Sequence, residues 1–137
     1  MSFGVWSALK PRLSARRFAV PEPRQPIPEV NSDDVTRIVR RDFPDTQLED
    51  VMAIVTEFAS QWDTARVQLA ALKMANGNLD SLRRQIAAAK QDYRDTLVAA
   101  EYPEYWKSTS SGCTLSKSER KRIIDADWRQ YESWLRR

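Results

Sequence analysis

Residues 90–106, KQDYRDTLVAAEYPEYW, hold four acids, two cations, three tyrosines and a tryptophan in seventeen positions. Asp92 and Asp95 stand three apart, so on a helix they are neighbours. Paired carboxylates suit a divalent cation or general acid–base work. A hard cation, however, takes about six or more oxygen ligands, and a glycosidase pair needs a cleft around it. The plainer reading is a solvated face. Lys90 and Arg94 are four apart on it, and each ion pair with the acids contributes about 0.2–0.5 kcal/mol. Tyr93 falls on the apolar stripe and is expected in the core. Tyr102, Tyr105 and Trp106 flank Pro103, either as an aromatic corner anchoring the chain or as an exposed contact patch.

The rest of the chain offers little catalytic chemistry. It contains no histidine, which removes the usual imidazole base of a triad, histidine-containing zinc sites and a histidine pH switch. Cys113 is the lone cysteine, so neither an internal disulfide nor a thiolate cluster is available, and without an activating partner it reads as a free loop thiol. No glycine-rich phosphate loop and no base–nucleophile pair occurs. No catalytic residue, cofactor or metal ligand is therefore assigned, and the expectation is a protein that is not an enzyme.

Three glycines against 30% charged residues favour helices. Asn31 or Ser32 caps a first helix with Asp33 and Asp34 in its opening turn and Val35, Ile38 and Val39 on its stripe; Phe43-Pro44-Asp45 ends it. Thr46 and Glu49 have capping-box spacing before LEDVMAIVTEF, where Leu48, Val51, Met52, Val55 and Phe58 recur at helical spacing. A third helix starts near Asp63 or Thr64 and stops at Asn76-Gly77, and Asn78 caps the next. Leu79, Leu82, Ile86, Ala89, Tyr93, Leu97 and Ala100 then mark a stripe of about 23 residues, roughly 34 Å at 1.5 Å per residue, which Pro103 ends. Ser116 and Glu119 form another capping box. Behind them Ile124, Trp128, Tyr131 and Leu135 share one face of an amphipathic C-terminal helix, with Lys121, Arg122 and Arg129 elsewhere on it.

The predicted fold class is all-α, a small bundle of about four core helices. Three segments are expected: a basic arm or linker over 1–30, a helical core over 31–107, and a connector with the C-terminal helix over 108–137. Pro21, Pro23, Pro26 and Pro28 make the end of the arm extended, either as a linker or as a proline-motif ligand. Five Lys/Arg against two acids make the first segment basic. The middle carries ten against thirteen and the last seven against four. The C-terminal helix either folds back or reaches another molecule.

The run RVQLAALKMANGNLDSLRRQIAAAKQDYRDTLVAAEYPEY, with RRDFPDTQLEDVMAIV before it, resembles small all-helical bacterial proteins. They carry a similar RVQLA…DYRD…AEYP pattern, matched over residues 33–105. The resemblance implies a bacterial, cytoplasmic setting and no transferable activity or cofactor. No apolar run approaches a membrane span. Residues 1–21, with Lys10, Arg12, Arg16 and Arg17 and no acid, also have the composition of a transit peptide, which would place the chain in an organelle matrix.

Two functions follow from these features. The first is a protein-interaction or accessory module, immunity-type in size and class. Its partner would be another protein, met through Tyr102, Tyr105, Trp106, Trp128, Tyr131, Trp134, Arg120, Lys121 and Arg122. The second is RNA or ribosome association through the basic arm and the Lys117, Arg120, Lys121 and Arg122 cluster.

Overall fold

The computed structural model describes residues 23–112 and 114–137; the expectations for residues 1–21 and for Cys113 lie outside the described residues. Asn31 opens α1 (Ser32–Asp42) as a capping box. Its side chain accepts the backbone N–H groups of Asp33 and Asp34 at 2.9 and 3.2 Å, and the Asp34 carboxylate accepts the Asn31 N–H. Thr46 and Glu49 form no such box. A 3-10 turn over Asp45–Gln47 leads directly into α2 (Leu48–Val55), which has no side-chain cap. That helix stops before the expected Phe58. The Gln68 amide explains the early stop: buried, it donates to the carbonyls of Val55 and Phe58 at 3.2 and 3.0 Å. A neighbouring helix thus satisfies the orphan acceptors that another helical turn would otherwise cover.

Helix α3 (Thr64–Ala75) ends with Asn76 in the left-handed region, and Asn78 caps α4 (Leu79–Glu101) through the Ser81 N–H. Between them Gly77 has φ +76°, and a Cβ there would stand 3.0 Å from the carbonyl oxygen of Asp42. Glycine is needed both for the conformation and for the close approach of α1. These two helices make the most extensive contact in the fold, with α1 against α3 and α2 against α4. Helix α4 runs over the expected span but kinks at Asp92 (φ −155°, ψ 99°). The Asp92 carboxylate accepts the Arg94 backbone N–H at 3.1 Å, the local competition with helix that aspartate provides. The stripe is interrupted at the kink. Leu82, Ile86 and Ala89 are buried before it and Leu97 and Ala100 after it, while Tyr93, expected in the core, is 44% exposed.

Pro103 ends α4 and also starts α5 (Pro103–Ser110), a helix where the sequence pattern predicts an aromatic corner and a connector. Proline at the first helical position gives up an N–H that would be unpaired in any case. Ser116 and Glu119 form the expected capping box of α6 (Lys117–Arg136). The described residues thus form an all-α fold of six helices without a strand.

Helix α6 packs back onto the bundle: Tyr131, Trp134 and Leu135 belong to the same buried cluster as Ile38, Val51, Leu72 and Leu82. Trp128, placed on the buried stripe from spacing, is only half-buried, and Asp127 is buried instead. Residues 23–31 carry no regular element, as the prolines predict. Tyr102, 3% exposed, donates its hydroxyl to the Pro26 carbonyl at 2.5 Å and ties this segment to the end of α4.

Among the described residues an ion pair lies inside. Glu101 is 1% exposed, and both its oxygens accept from Arg66 on α3, at 2.7 and 2.8 Å. A bidentate guanidinium is the donor best suited to hold a buried carboxylate. Close to it, the Tyr131 hydroxyl is buried without a hydrogen-bond partner among the described residues.

Two stability outcomes follow. Arg66→Met strands the Glu101 charge and should lower the unfolding free energy by about 3–5 kcal/mol in urea denaturation, most of it recovered in Arg66→Met/Glu101→Leu. Tyr131→Phe, which removes an unsatisfied polar atom, should leave stability equal or higher by up to about 1 kcal/mol; a clear loss would show that the hydroxyl has an acceptor.

Candidate interaction surface

The nine residues singled out for binding separate into two groups. Tyr131 is 0% exposed, Tyr102 3% and Trp134 9%. They are structural, and their assignment to a binding face is corrected: Tyr102 anchors the Pro26 segment, while Tyr131 and Trp134 stack edge-on with ring centroids 5.6 Å apart. The Arg41 guanidinium lies 5.2 Å from the Trp134 ring and donates to the Trp134 carbonyl at 2.6 Å, which joins α1 to the end of α6. At the surface remain Trp106 (51% exposed), the exposed Lys121 and Arg122, and the half-buried Tyr105, Arg120 and Trp128. All six belong to α5 and α6.

What fixes this hairpin is polar. Helix α5 has no fully buried residue, so it adds little to the apolar core. Instead Asp127, 2% exposed on α6, accepts the Tyr105 N–H at 2.9 Å and the Glu104 N–H at 3.4 Å. These are first-turn donors of α5, which its own N-cap residue, Tyr102, leaves without a side-chain acceptor. A cap supplied from another helix also sets direction: α5 runs back along the first half of α6. Burial pushes the Asp127 carboxyl above its ordinary value, while the two backbone N–H bonds and Lys73 oppose the rise and Glu104 adds to it.

Three cations of the hairpin stand beside acids. Lys107 pairs with Glu104 at 3.3 Å, Lys121 with Asp125 at 2.7 Å and Arg136 with Glu132 at 3.4 Å. One Arg120 nitrogen donates to the Leu115 carbonyl at 3.0 Å. The result is an exposed indole within a polar rim.

Of the Asp92 and Asp95 carboxylates, Asp92 is engaged by a neighbour in its own helix. Arg94 takes both Asp92 oxygens, at 3.0 and 3.1 Å. Its side-chain hydrogen bonds, joined by its backbone N–H, hold the Asp92 carboxyl below its ordinary value, so it is ionised and engaged. Lys90 reaches across to Glu57 on the segment after α2, at 2.8 Å, rather than pairing within its own helix. No group of acids among the described residues has the arrangement of a metal site. No helix there is long and apolar enough to cross a membrane.

Asp127, Glu101 and Arg66 escaped the sequence reading, although a signal existed. Asp127 lies three residues after Ile124 and four before Tyr131, and Glu101 four after Leu97, so each acid sits in step with a buried stripe.

Asp127→Ala should cost about 1–2 kcal/mol, within the range for losing a cap, with the exchange of α5 amides rising most. The sign of its pH dependence follows from the raised carboxyl. Asp127 stabilises the fold most below the ordinary aspartate pKa, and this contribution falls as pH rises through the higher folded-state value. Urea midpoints of the parent minus Asp127→Ala, measured from acid to neutral pH, should therefore narrow.

Comparison with known proteins returns no match: no family model, no curated protein and no solved structure is similar to this chain, and the resemblance read over residues 33–105 gains no support from it.

Proposed function

We propose that the chain is a non-enzymatic protein-interaction module whose α5–α6 hairpin is the contact surface. The observation that carries this reading is Trp106, 51% exposed on a helix that buries none of its own residues and is clamped at its first turn by Asp127. Tryptophan, tyrosine and arginine dominate the energetic centres of protein interfaces. A fixed helix also presents such a side chain with little ordering left to lose on binding. The half-buried Tyr105 and Trp128 and the exposed Arg122 extend the same hairpin.

The charge arrangement favours a protein over a nucleic acid. Phosphate recognition draws on cations free to displace counterions, whereas Lys107 and Lys121 each sit beside an acid. A rim of paired charges around an aromatic centre is the anatomy of a protein interface. A cytoplasmic setting belongs to the same reading.

Point substitution, not truncation, is the suitable test, because removing α6 would also remove Tyr131, Trp134 and Leu135 from the core. Trp106→Ala should leave stability within about 0.5 kcal/mol, as for surface changes generally. It should weaken capture of a partner from native-host lysate by about 2 kcal/mol or more, the range of an interface hot spot. Equal capture by both chains would overturn the assignment of the surface. Capture that disappears with nuclease would move the reading to RNA.

A further inference from the structure

We propose that the end of α4 is a groove for an extended Pro-x-Pro peptide of another protein, occupied in this chain by its own Pro26-Ile27-Pro28 segment. The site does not depend on the Trp106 surface. Proline fixes φ at about −65° and has no N–H, so residues 23–30 present extended backbone that only accepts hydrogen bonds at its prolines. Tyr102 donates its hydroxyl to the Pro26 carbonyl at 2.5 Å, and Pro28 is buried. Leu97 and Val98 line the same cleft as Pro26 and Ile27. An aromatic residue that seats extended proline backbone, with apolar side chains beside it, is the arrangement of grooves that take proline-rich ligands.

The segment is lightly held. Among the described residues, the Tyr102 bond is its one hydrogen bond to the helices. Ile27, between the two prolines, is 63% exposed and adds little grip. A cleft of about 290 Å³ is lined by Pro26 and Ile27 together with Arg66, Leu97, Val98 and Tyr102, so the segment does not pack flush against α4. The chain is fixed again only from Val30, which packs against the core, and Asn31, which caps α1. Release therefore moves residues before Val30 and leaves the bundle in place.

Tyr102 is 3% exposed while the segment is seated, so it belongs to no free face. Burial pushes its phenol above the ordinary value, so the hydroxyl keeps its proton and stays a donor. When the segment leaves, that donor and the side chains of Leu97 and Val98 open to a ligand of the same form. The ligand is a peptide rather than a small molecule, because the contact observed is with the backbone carbonyl of a proline. The chain's own segment acts as the competitor. A partner's apparent affinity falls in proportion to the fraction of chains whose groove is open.

The test is fluorescence anisotropy of a labelled peptide, PRQPIPEV (residues 23–30), added to the full chain. The parent should bind it weakly. Pro28→Asp, which places a charge at the buried position and so expels the segment, should bind about tenfold tighter or more. Pro28→Gly, which stays uncharged, should also gain affinity and decides the matter if the aspartate variant fails to unfold cooperatively. Adding Tyr102→Phe to the opened chain should weaken the peptide about fivefold, the loss of one neutral hydrogen bond. Equal affinity in parent and opened chains, no saturable binding to the opened chains, or indifference to Tyr102→Phe would overturn the site. A peptide carrying Pro26→Ala and Pro28→Ala that binds as tightly would overturn the proline ligand. Sedimentation of the parent showing a dimer that Tyr102→Phe abolishes would overturn the separate partner, since a second copy would then supply the segment.

Discussion

A carboxylate 1% exposed at the end of a 23-residue helix is the constraint around which this fold is arranged. Taking an ion out of water costs several kcal/mol, and the cost is offset only by a fixed counter-charge with good geometry. Glu101 has one in Arg66, held through two hydrogen bonds, and the guanidinium is raised in pKa chiefly by that bond. The pair fixes the register of α3 against the far end of α4. Everything that follows in the chain depends on where that end lies. Tyr102 turns to catch the Pro26 carbonyl, Pro103 begins α5, and α6 returns to place Asp127 beneath the new helix.

A polar logic therefore sits on top of an ordinary apolar core. Ile38, Val51, Leu72, Leu82 and Leu135 drive collapse, each such side chain contributing about 1.5–3 kcal/mol when fully buried. They contribute little to where the hairpin goes, because α5 has no fully buried residue. Gln68 on the last carbonyls of α2, Arg41 on the Trp134 carbonyl and Asp127 on α5 each use one helix to complete the end of another. Helix ends, together with helix faces, carry the information about how the second half of the chain is placed. The same economy leaves Trp106 exposed, the feature that supports the functional reading.

The sequence was legible where local rules decide. Asn31 and Ser116 cap through their own third residues, Asn76-Gly77 stops a helix by conformation, and the stripes of α1 and α4 follow helical periodicity. It was less legible where the partner is remote. Arg66 and Glu101 are 35 residues apart and Tyr105 and Asp127 are 22, and no local rule links such positions. Asp92 shows a third limit: one side chain bonding its own backbone broke the periodicity and moved Tyr93 from the core to the surface. Of the nine residues chosen for binding, six are at least partly exposed and three are buried. Tyr131 and Trp134 are interface-like residues used inside the molecule.

The most direct test of this arrangement is native-state hydrogen exchange at the Tyr105 amide, the N–H that Asp127 accepts at 2.9 Å. If the hairpin is clamped as one surface, that amide should open only with α6 and share the protection of core amides such as Leu72. Exchange at the rate of an unfolded chain, with α6 still protected, would contradict it, since α5 would then be a loose appendage and Trp106 would not be held for a partner.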